Sequence, residues 1–462
     1  MRDAAAILAG RLVARASRAL GAGGGTTAPG RVALALAPGL IGRLAARLSG
    51  GVALVSGTNG KTTTARLLGG VLEAAGRSVV HNRAGANLLT GIASALIEGA
   101  GPKGRPRAEV GLFEVDEFTL PAAVEAARPS AVVLLNLFRD QLDRYGEIDS
   151  VAERWRRALA ALPPAATVVA NADDPMVADV AAAWSGPRLL FGLDDAPDRG
   201  GARTLEHAAD ARYCYRCGVL YEYRLVALGH MGHYRCPRCG VARPSPAVRA
   251  RNVRLRGADG AFFTLDLAGA EVAISTALPG LYNVYDATAA AAGALALGAD
   301  VAAVVRGLAT TAPAFGRGER VALDGREALF LLAKNPAGFN EVLRTVLDAE
   351  AAPVVLIAIN DLAADGRDVS WLWDVDFEVL RDRARAVVVS GLRAEEAALR
   401  LKYAGVPASC VVVERDLLRA LEAGCALLGD GERLYVLPTY TAMLDLRDRL
   451  ARQGRVRGFW RE

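Results

Sequence analysis

Lysine is the conspicuous shortage in this sequence. Of 462 residues only four are lysine (Lys61, Lys103, Lys334 and Lys402), while arginine supplies the rest of the 55 basic residues. That bias points to genome composition and makes Lys61 stand out. No run of about 18 apolar residues occurs, which excludes a membrane-spanning helix. Six cysteines are too few and too clustered for a secreted disulfide scaffold, and a reducing cytoplasm suits them better. A net charge of +5 is modest for the length and argues weakly for a nucleic-acid partner. Ala4 to Ala9 is apolar, but Arg11, Arg15 and Arg18 interrupt at helical spacing, unlike a signal peptide. An amphipathic helix is expected there, packed on the domain behind it or drawn to an anionic membrane surface.

What is present begins with Val52 to Thr64, which reads as a buried strand, a glycine-bracketed turn and a helix start. Gly57 and Gly60 let the backbone N–H groups turn inward, Lys61 reaches terminal phosphates, and Thr62 offers a hydroxyl to Mg²⁺ at the positive end of a helix. Thr58, Asn59 and Thr63 complete the candidate nucleotide-binding loop. The longer nucleotide-loop pattern would need glycine at position 55, where this chain has Val55. The strand Val110 to Val115 runs into acid. Glu114 is the first candidate to share Mg²⁺ with Thr62, with Asp116 and Glu117 behind it.

Further strands are expected at Ser78 to His81, Ser130 to Leu135 and Thr167 to Ala170, alternating with helices, so a parallel sheet should carry ligands at its strand C-termini. Residues 22–30 read as a glycine-rich connection. Cys214-x-x-Cys217 and Cys236-x-x-Cys239, 18 residues apart and each followed by glycine, fit a four-cysteine zinc ribbon. Four thiolates close a tetrahedron, so the zinc is expected to be structural; His230 and His233 are the substitute ligands to weigh. Cys410 and Cys425 read as core thiols. A hairpin at Ala261 to Leu267 and Glu271 to Ser275, an alanine-rich helix to Leu297 and a Gly/Arg turn at Phe315 to Arg320 follow. Strands are then expected at Leu329 to Ala333, Val354 to Ile359, Ala386 to Ser390, Ser409 to Val413 and Arg433 to Leu437. The expected organisation is an N-terminal helical segment (1–48), an α/β ATP-binding domain (49–318, with the ribbon inserted at about 205–248) and a smaller α/β domain (319–462).

GTNGKT at 57–62, Glu114 in FEVDE, Asn136 and Asp140 in NLFRDQLD, NADDP at 171–175, YNVYDATAA at 282–290, FGRGER at 315–320 and KNPAG at 334–338 together resemble the Mur ligase family over nearly the whole chain. These are ATP-dependent enzymes that join an amine to a carboxylate. The ribbon, FRDQLDRYGE, LAKNPAGFNE and ADGRDVSWLWD look like the branch serving as ligase-like subunit of lipid II isoglutaminyl synthase. That enzyme amidates the D-glutamate α-carboxylate of peptidoglycan precursors with ammonia from a GatD-type glutamine amidotransferase. The resemblance implies ATP, Mg²⁺ and Zn²⁺, a heterodimer, and a cytoplasmic protein working beside the membrane that presents lipid II.

By the same resemblance Lys61 and Glu114 serve catalysis, Asn171 and Asp174 face the adenine side, Arg317 lies in the closing pocket, and Asn335 reaches the nucleotide from the C-terminal domain. Asp368, with Asp374 second, would orient the histidine of the partner's Cys–His pair. Two departures touch the second metal: Gln141 stands where amino-acid-adding members typically have histidine, and no lysine for carbamylation lies between Lys103 and Lys334. The four histidines (His81, His207, His230, His233) pair with no obvious nucleophilic cysteine, so ammonia must come from another protein. Two alternatives stay open: an amino-acid-adding Mur-type ligase, and a zinc-ribbon nucleic-acid-binding protein with a vestigial ATPase.

Overall fold

The computed structural model describes residues 2–19, 27–82, 85–101, 104–140, 148–197, 205, 209–313, 316–323 and 325–456. Gln141, His207, Lys103, Phe315, most of the FRDQLDRYGE motif and most of the glycine-rich connection lie outside the described residues. Short β-branched and apolar runs form Val52–Ser56 (β1), Val79–His81 (β2), Val110–Glu114 (β3), Ala131–Leu134 (β4), Thr167–Asn171 (β5) and Arg188–Leu193 (β6). Glu222–Leu228 (β7) and Met231–Arg235 (β8) make a separate antiparallel hairpin, and Val248–Leu255 (β9), Ala261–Leu267 (β10) and Ala270–Thr276 (β11) follow.

These strands, β7 and β8 apart, make a nine-stranded sheet in the order β11-β10-β9-β6-β5-β4-β1-β3-β2. It is parallel from β2 to β9 and antiparallel across β9, β10 and β11. Every residue of β1 and β3 is buried, because helices cover both faces. Side chains alternate between the two layers. Ala53 and Val55 pack with Leu67, Leu68 and the alanine-rich helix Leu281–Ala296. Val52 and Leu54 pack on the other face with Phe113, Trp155 and the helices that carry Ile7, Leu40 and Ile92. The N-terminal helix Arg2–Ala19 therefore buries Ala6 and Ile7 against this layer.

A second sheet contains Arg317–Leu323 (β12), Arg326–Leu331 (β13), Val354–Ala358 (β14), Ala386–Ser390 (β15), Val411–Val413 (β16) and Arg433–Pro438 (β17). Its order is β12-β13-β17-β14-β15-β16, antiparallel only at β12/β13. Two sequence expectations shift here. The Gly/Arg stretch expected as a turn enters strand β12, where Val321 and Leu323 alternate into the core and the register slips between Arg317 and Glu319. Ser409 belongs to a short 3₁₀ turn, Ala408–Cys410, that follows Pro407 and precedes β16.

Trp155 is among the largest fully buried side chains, and its indole Nε1 donates to the Glu117 carbonyl at 3.1 Å. Trp155→Ala should cost about 3–5 kcal/mol, the usual range for deleting a buried aromatic. Chemical denaturation checks it; a loss well under 1 kcal/mol would contradict this packing.

Candidate active site

β1 lies between β3 and β4, so the chain leaves β1 where the sheet's winding changes direction, the usual crevice for ligands in such folds. Gly57 (φ 150°) turns the backbone away from β1, and Gly60 (φ 86°) starts the helix Lys61–Ala74. A side chain on Gly60 would sit 2.1 Å from Asp286 Oδ1, so glycine is required by conformation and by space. The loop is held from outside. Asn59 N donates to Asn136 Oδ1 at 2.9 Å, Asn136 Nδ2 donates to Asn59 O at 3.1 Å, and Phe138 N donates to Thr58 Oγ1 at 3.0 Å.

A cavity of about 340 Å³ opens over this loop, within the range of small-molecule sites. Thr58 to Thr63 line it, as do Glu114, Asp116, Glu117, Asp140 and Asp286 from the central domain and Arg317, Lys334 and Glu341 from the C-terminal part. Thr62 Oγ1 donates to Glu114 Oε2 at 2.7 Å; both are buried. Two hard oxygen ligands facing one phosphate-sized cavity fit Mg²⁺. Lys61 Nζ donates to the Gly57 carbonyl, to Thr58 O at 3.2 Å and to Glu117 Oε2 at 3.0 Å. Burial pushes the Glu117 carboxyl up, with Lys61 and then Lys334 pulling against it.

From across the cavity, Lys334 Nζ meets Asp140 Oδ2 at 2.5 Å. Burial alone would lower its pKa, but Asp140 and Glu117 together raise it, so the ammonium stays charged. Asn335 caps the helix Pro336–Ala349 by accepting from Gly338 N at 2.9 Å, and its Nδ2 donates to Asn59 Oδ1 at 2.8 Å. The C-terminal part therefore touches the phosphate loop directly.

Asn171 and Asp174 sit elsewhere. Neither lines the cavity. Asn171 Nδ2 donates to Leu135 O at 2.9 Å and lies 3.2 Å from Met231 Sδ. Asp174 caps the helix Pro175–Ala182, accepts from Leu137 N at 2.9 Å and lies 3.3 Å from His230 Nε2. Both brace the wall formed by Phe138 and by Leu228 and Met231 at the tip of the β7/β8 hairpin. Asp368 is exposed and outside the cavity; its carboxylate accepts from Ser370 N at 2.8 Å and Ser370 Oγ at 2.9 Å, which holds its pKa down. Asp374 lies 3.7 Å from Arg139 Nη2 of the central domain.

The four candidate zinc ligands do converge. The Sγ atoms of Cys214, Cys217, Cys236 and Cys239 all lie within 4.8 Å of one another, with Cys214–Cys239 at 3.5 Å and Cys217–Cys236 at 3.4 Å. A tetrahedral zinc needs sulfur–sulfur edges of about 3.8 Å, so these thiols fit the ion. His233 is engaged elsewhere, with Nε2 2.8 Å from Leu193 O. The same insertion thus carries a thiol cluster at one end and two cavity residues, Leu228 and Met231, at the other.

Sequence reading overlooked Asp286, Leu228, Met231 and the pairing of Lys61 with Glu117. A lone carboxylate in an alanine-rich helix was the available signal for Asp286. Burial pushes its pKa up to about 8 against the pull of the Thr64 hydroxyl and Arg317, so it is largely protonated beside the phosphate loop at neutral pH. A folded-state value above the unfolded one contributes stability that is whole below about pH 4 and is lost as pH rises toward the folded value. Melting curves should therefore show Asp286→Asn gaining several degrees on the unsubstituted protein between about pH 4 and about pH 8. Parallel pH profiles would contradict this placement of the proton.

Comparison with known proteins places this geometry in a lineage. Residues 55–217 match the family described as Mur ligase middle domain, and residues 332–443 match MurT ligase C-terminal. The chain is 34% identical over 455 residues to the lipid II isoglutaminyl synthase (glutamine-hydrolyzing) subunit MurT of Staphylococcus aureus strain COL, covering 98% of both. It is 33% identical over 436 residues to the same-named subunit of Streptococcus pneumoniae, covering 94% of both. Solved structures share the fold at lower identity. A pseudomurein peptide ligase type C from Methanothermus fervidus superposes with a TM-score of 0.67 at 20% identity, over 87% of this chain and 78% of that one. MurF ligase from Thermotoga maritima in complex with ADP gives 0.66 at 14%, over 91% and 85%. With a relative matched from end to end and both family regions in place, this chain belongs to the MurT family of Mur ligases.

Proposed function

We propose that this chain is the carboxylate-activating subunit of a lipid II isoglutaminyl synthase, converting the D-glutamate α-carboxylate of lipid II to the amide of D-isoglutamine. The observation that carries this reading is end-to-end kinship with MurT subunits combined with a phosphate loop whose lysine, threonine and Glu114 face one cavity. Residues 49–318 act as the ATP-binding domain and residues 319–462 as the domain that closes over it, with the second sheet already beginning at Arg317.

The loop N–H groups and Lys61 bind the triphosphate; Lys61 leaves Glu117 for the phosphates. Thr62 and Glu114 would hold Mg²⁺, which supplies charge neutralisation at the β- and γ-phosphates. Asn59 and Asn335 keep the two domains together at the loop, and Arg317 and Lys334 add positive charge from the closing side. A carboxylate oxygen of the substrate attacks the γ-phosphorus, the bond to the ADP oxygen breaks, and an acyl phosphate results. Ammonia then attacks the carbonyl carbon, the C–O bond to phosphate breaks, and nitrogen loses its extra proton as inorganic phosphate departs. Asp140 Oδ1, buried with no hydrogen-bond partner among the described residues, is an acceptor placed for the incoming ammonia. Asn171 and Asp174 serve by positioning the wall on the side assigned to adenine. Closure excludes water that would hydrolyse the acyl phosphate.

Ammonia comes from a GatD-like glutamine amidotransferase. Asp368, exposed on the C-terminal domain five residues before the surface residue Trp373, is assigned to orient that partner's catalytic histidine, with Asp374 second.

Purified protein supplied with ATP, Mg²⁺, ammonium chloride and lipid II should lower the substrate mass by about one mass unit, read by mass spectrometry. A residue-sized gain, or no change, would overturn the reading. In the two-subunit complex, Asp368→Asn should abolish glutamine-driven amidation while leaving the ammonium-driven reaction intact; intact glutamine use removes the assignment. Stripping zinc from the folded protein should weaken ADP binding several-fold by calorimetry, because Leu228 and Met231 lose their support. Unchanged affinity would separate the ribbon from the cavity.

A further inference from the structure

The N-terminal segment carries a charge and an apolar face that the reaction does not use. Residues 1–48 contain seven arginines against the single carboxylate Asp3, a net +6, so the remaining 414 residues together carry −1. Within the helix Arg2–Ala19, Ala6, Ile7, Gly10 and Ala14 face the protein and are buried. The opposite face presents Leu8 at 61% exposure and Leu12 at 55%, in line with Arg15, while Leu36, at 52%, ends the adjoining helix Ala28–Leu36. Leucines left in water at helical spacing beside unopposed positive charge describe a surface helix suited to an interface of apolar and anionic character.

Arg2, Arg15 and Arg31 are exposed, and no carboxylate among the described residues pairs with them. By contrast Arg11 is tied inward to the Ile97 carbonyl at 3.1 Å, and Arg43 pairs with Asp3 at 2.7 Å. The structural arginines and the free ones are thus different residues. The helix pair packs on Leu89–Gly99, and Gly85, Asn87 and Leu88, just before that helix, line the cavity. One helix, Leu89–Gly99, therefore links the apolar basic face to the cavity edge.

We propose that this face docks on an anionic phospholipid bilayer, with Leu8, Leu12 and Leu36 entering the headgroup region and Arg2, Arg15 and Arg31 over the lipid phosphates. Such docking holds the cavity at the height of a lipid-linked headgroup. That purpose rests on the proposed function, whereas the docking itself rests on charge and exposure. Neither apolar insertion nor three arginines alone anchors a protein stably, so the contact is reversible and salt-sensitive.

Sedimentation of the full chain with vesicles tests it. Vesicles containing phosphatidylglycerol should bind it, pure phosphatidylcholine vesicles should not, and raised salt should release it. Leu8→Ser with Leu12→Ser, or Arg2→Glu with Arg15→Glu and Arg31→Glu, should each lower the bound fraction at least tenfold. Both variants should keep ammonium-dependent amidation of detergent-solubilised lipid II, which separates docking from the reaction. Absence of binding to anionic vesicles, or binding that survives both variants, overturns the proposal. So does a variant that retains vesicle binding but loses the amidotransferase subunit on gel filtration, since the face is then a protein interface.

Discussion

The site depends on the two-way exchange of hydrogen bonds between Asn136 and the backbone of Asn59. Asn136 follows β4 and Asn59 follows β1, so two adjacent parallel strands set the direction in which the phosphate loop points its N–H groups. The same Asn59 side chain is then met by Asn335 from the other domain. One residue therefore carries both the preorganisation of the loop and the register of closure. These bonds shape the loop from within the protein, so binding energy need not be used to shape it.

Charge in the cavity is balanced in a way that anticipates an anion. Lys61 is held by Glu117 and Lys334 by Asp140, so each ammonium group has a carboxylate partner within the protein. Asp286, the carboxyl group nearest the loop glycine, is kept protonated by burial and adds little repulsion. Entry of a polyphosphate exchanges carboxylate partners for phosphate oxygens without first exposing a bare buried charge, which would be costly.

Much of this was legible in the sequence wherever the signal was local. Val52 to Thr64 sits as strand, turn and helix; Glu114 lies beside Thr62; four cysteines with paired spacing converge. Spacing works for the loop and the cysteines because each set shares one turn or one hairpin, and Glu114, 52 positions from Thr62, was legible as the acid that ends a buried strand. Asn59 with Asn335, 276 positions apart, and Lys61 with Glu117, 56 apart, are products of sheet order and domain closure, which periodicity does not encode. Asn171 and Asp174 show the converse: their motif is plain, yet their polar atoms are spent on Leu135, Leu137 and a helix start. The hairpin tip at Leu228 and Met231 was hidden because two apolar residues in an insertion look like ordinary core. Phe315 to Arg320 read as a turn because its glycines and arginines masked the strand that begins at Arg317 and alternates through Val321 and Leu323.

The central claim is that a substrate carboxylate is activated by phosphoryl transfer at this loop. Lipid II with ¹⁸O in the D-glutamate α-carboxylate tests it directly, using ammonium as nitrogen source and mass analysis of the released inorganic phosphate. The account predicts one ¹⁸O atom transferred to phosphate for each amide formed, because the attacking oxygen leaves with phosphorus. Amide formation with unlabelled phosphate, or with release of AMP and pyrophosphate, would contradict it.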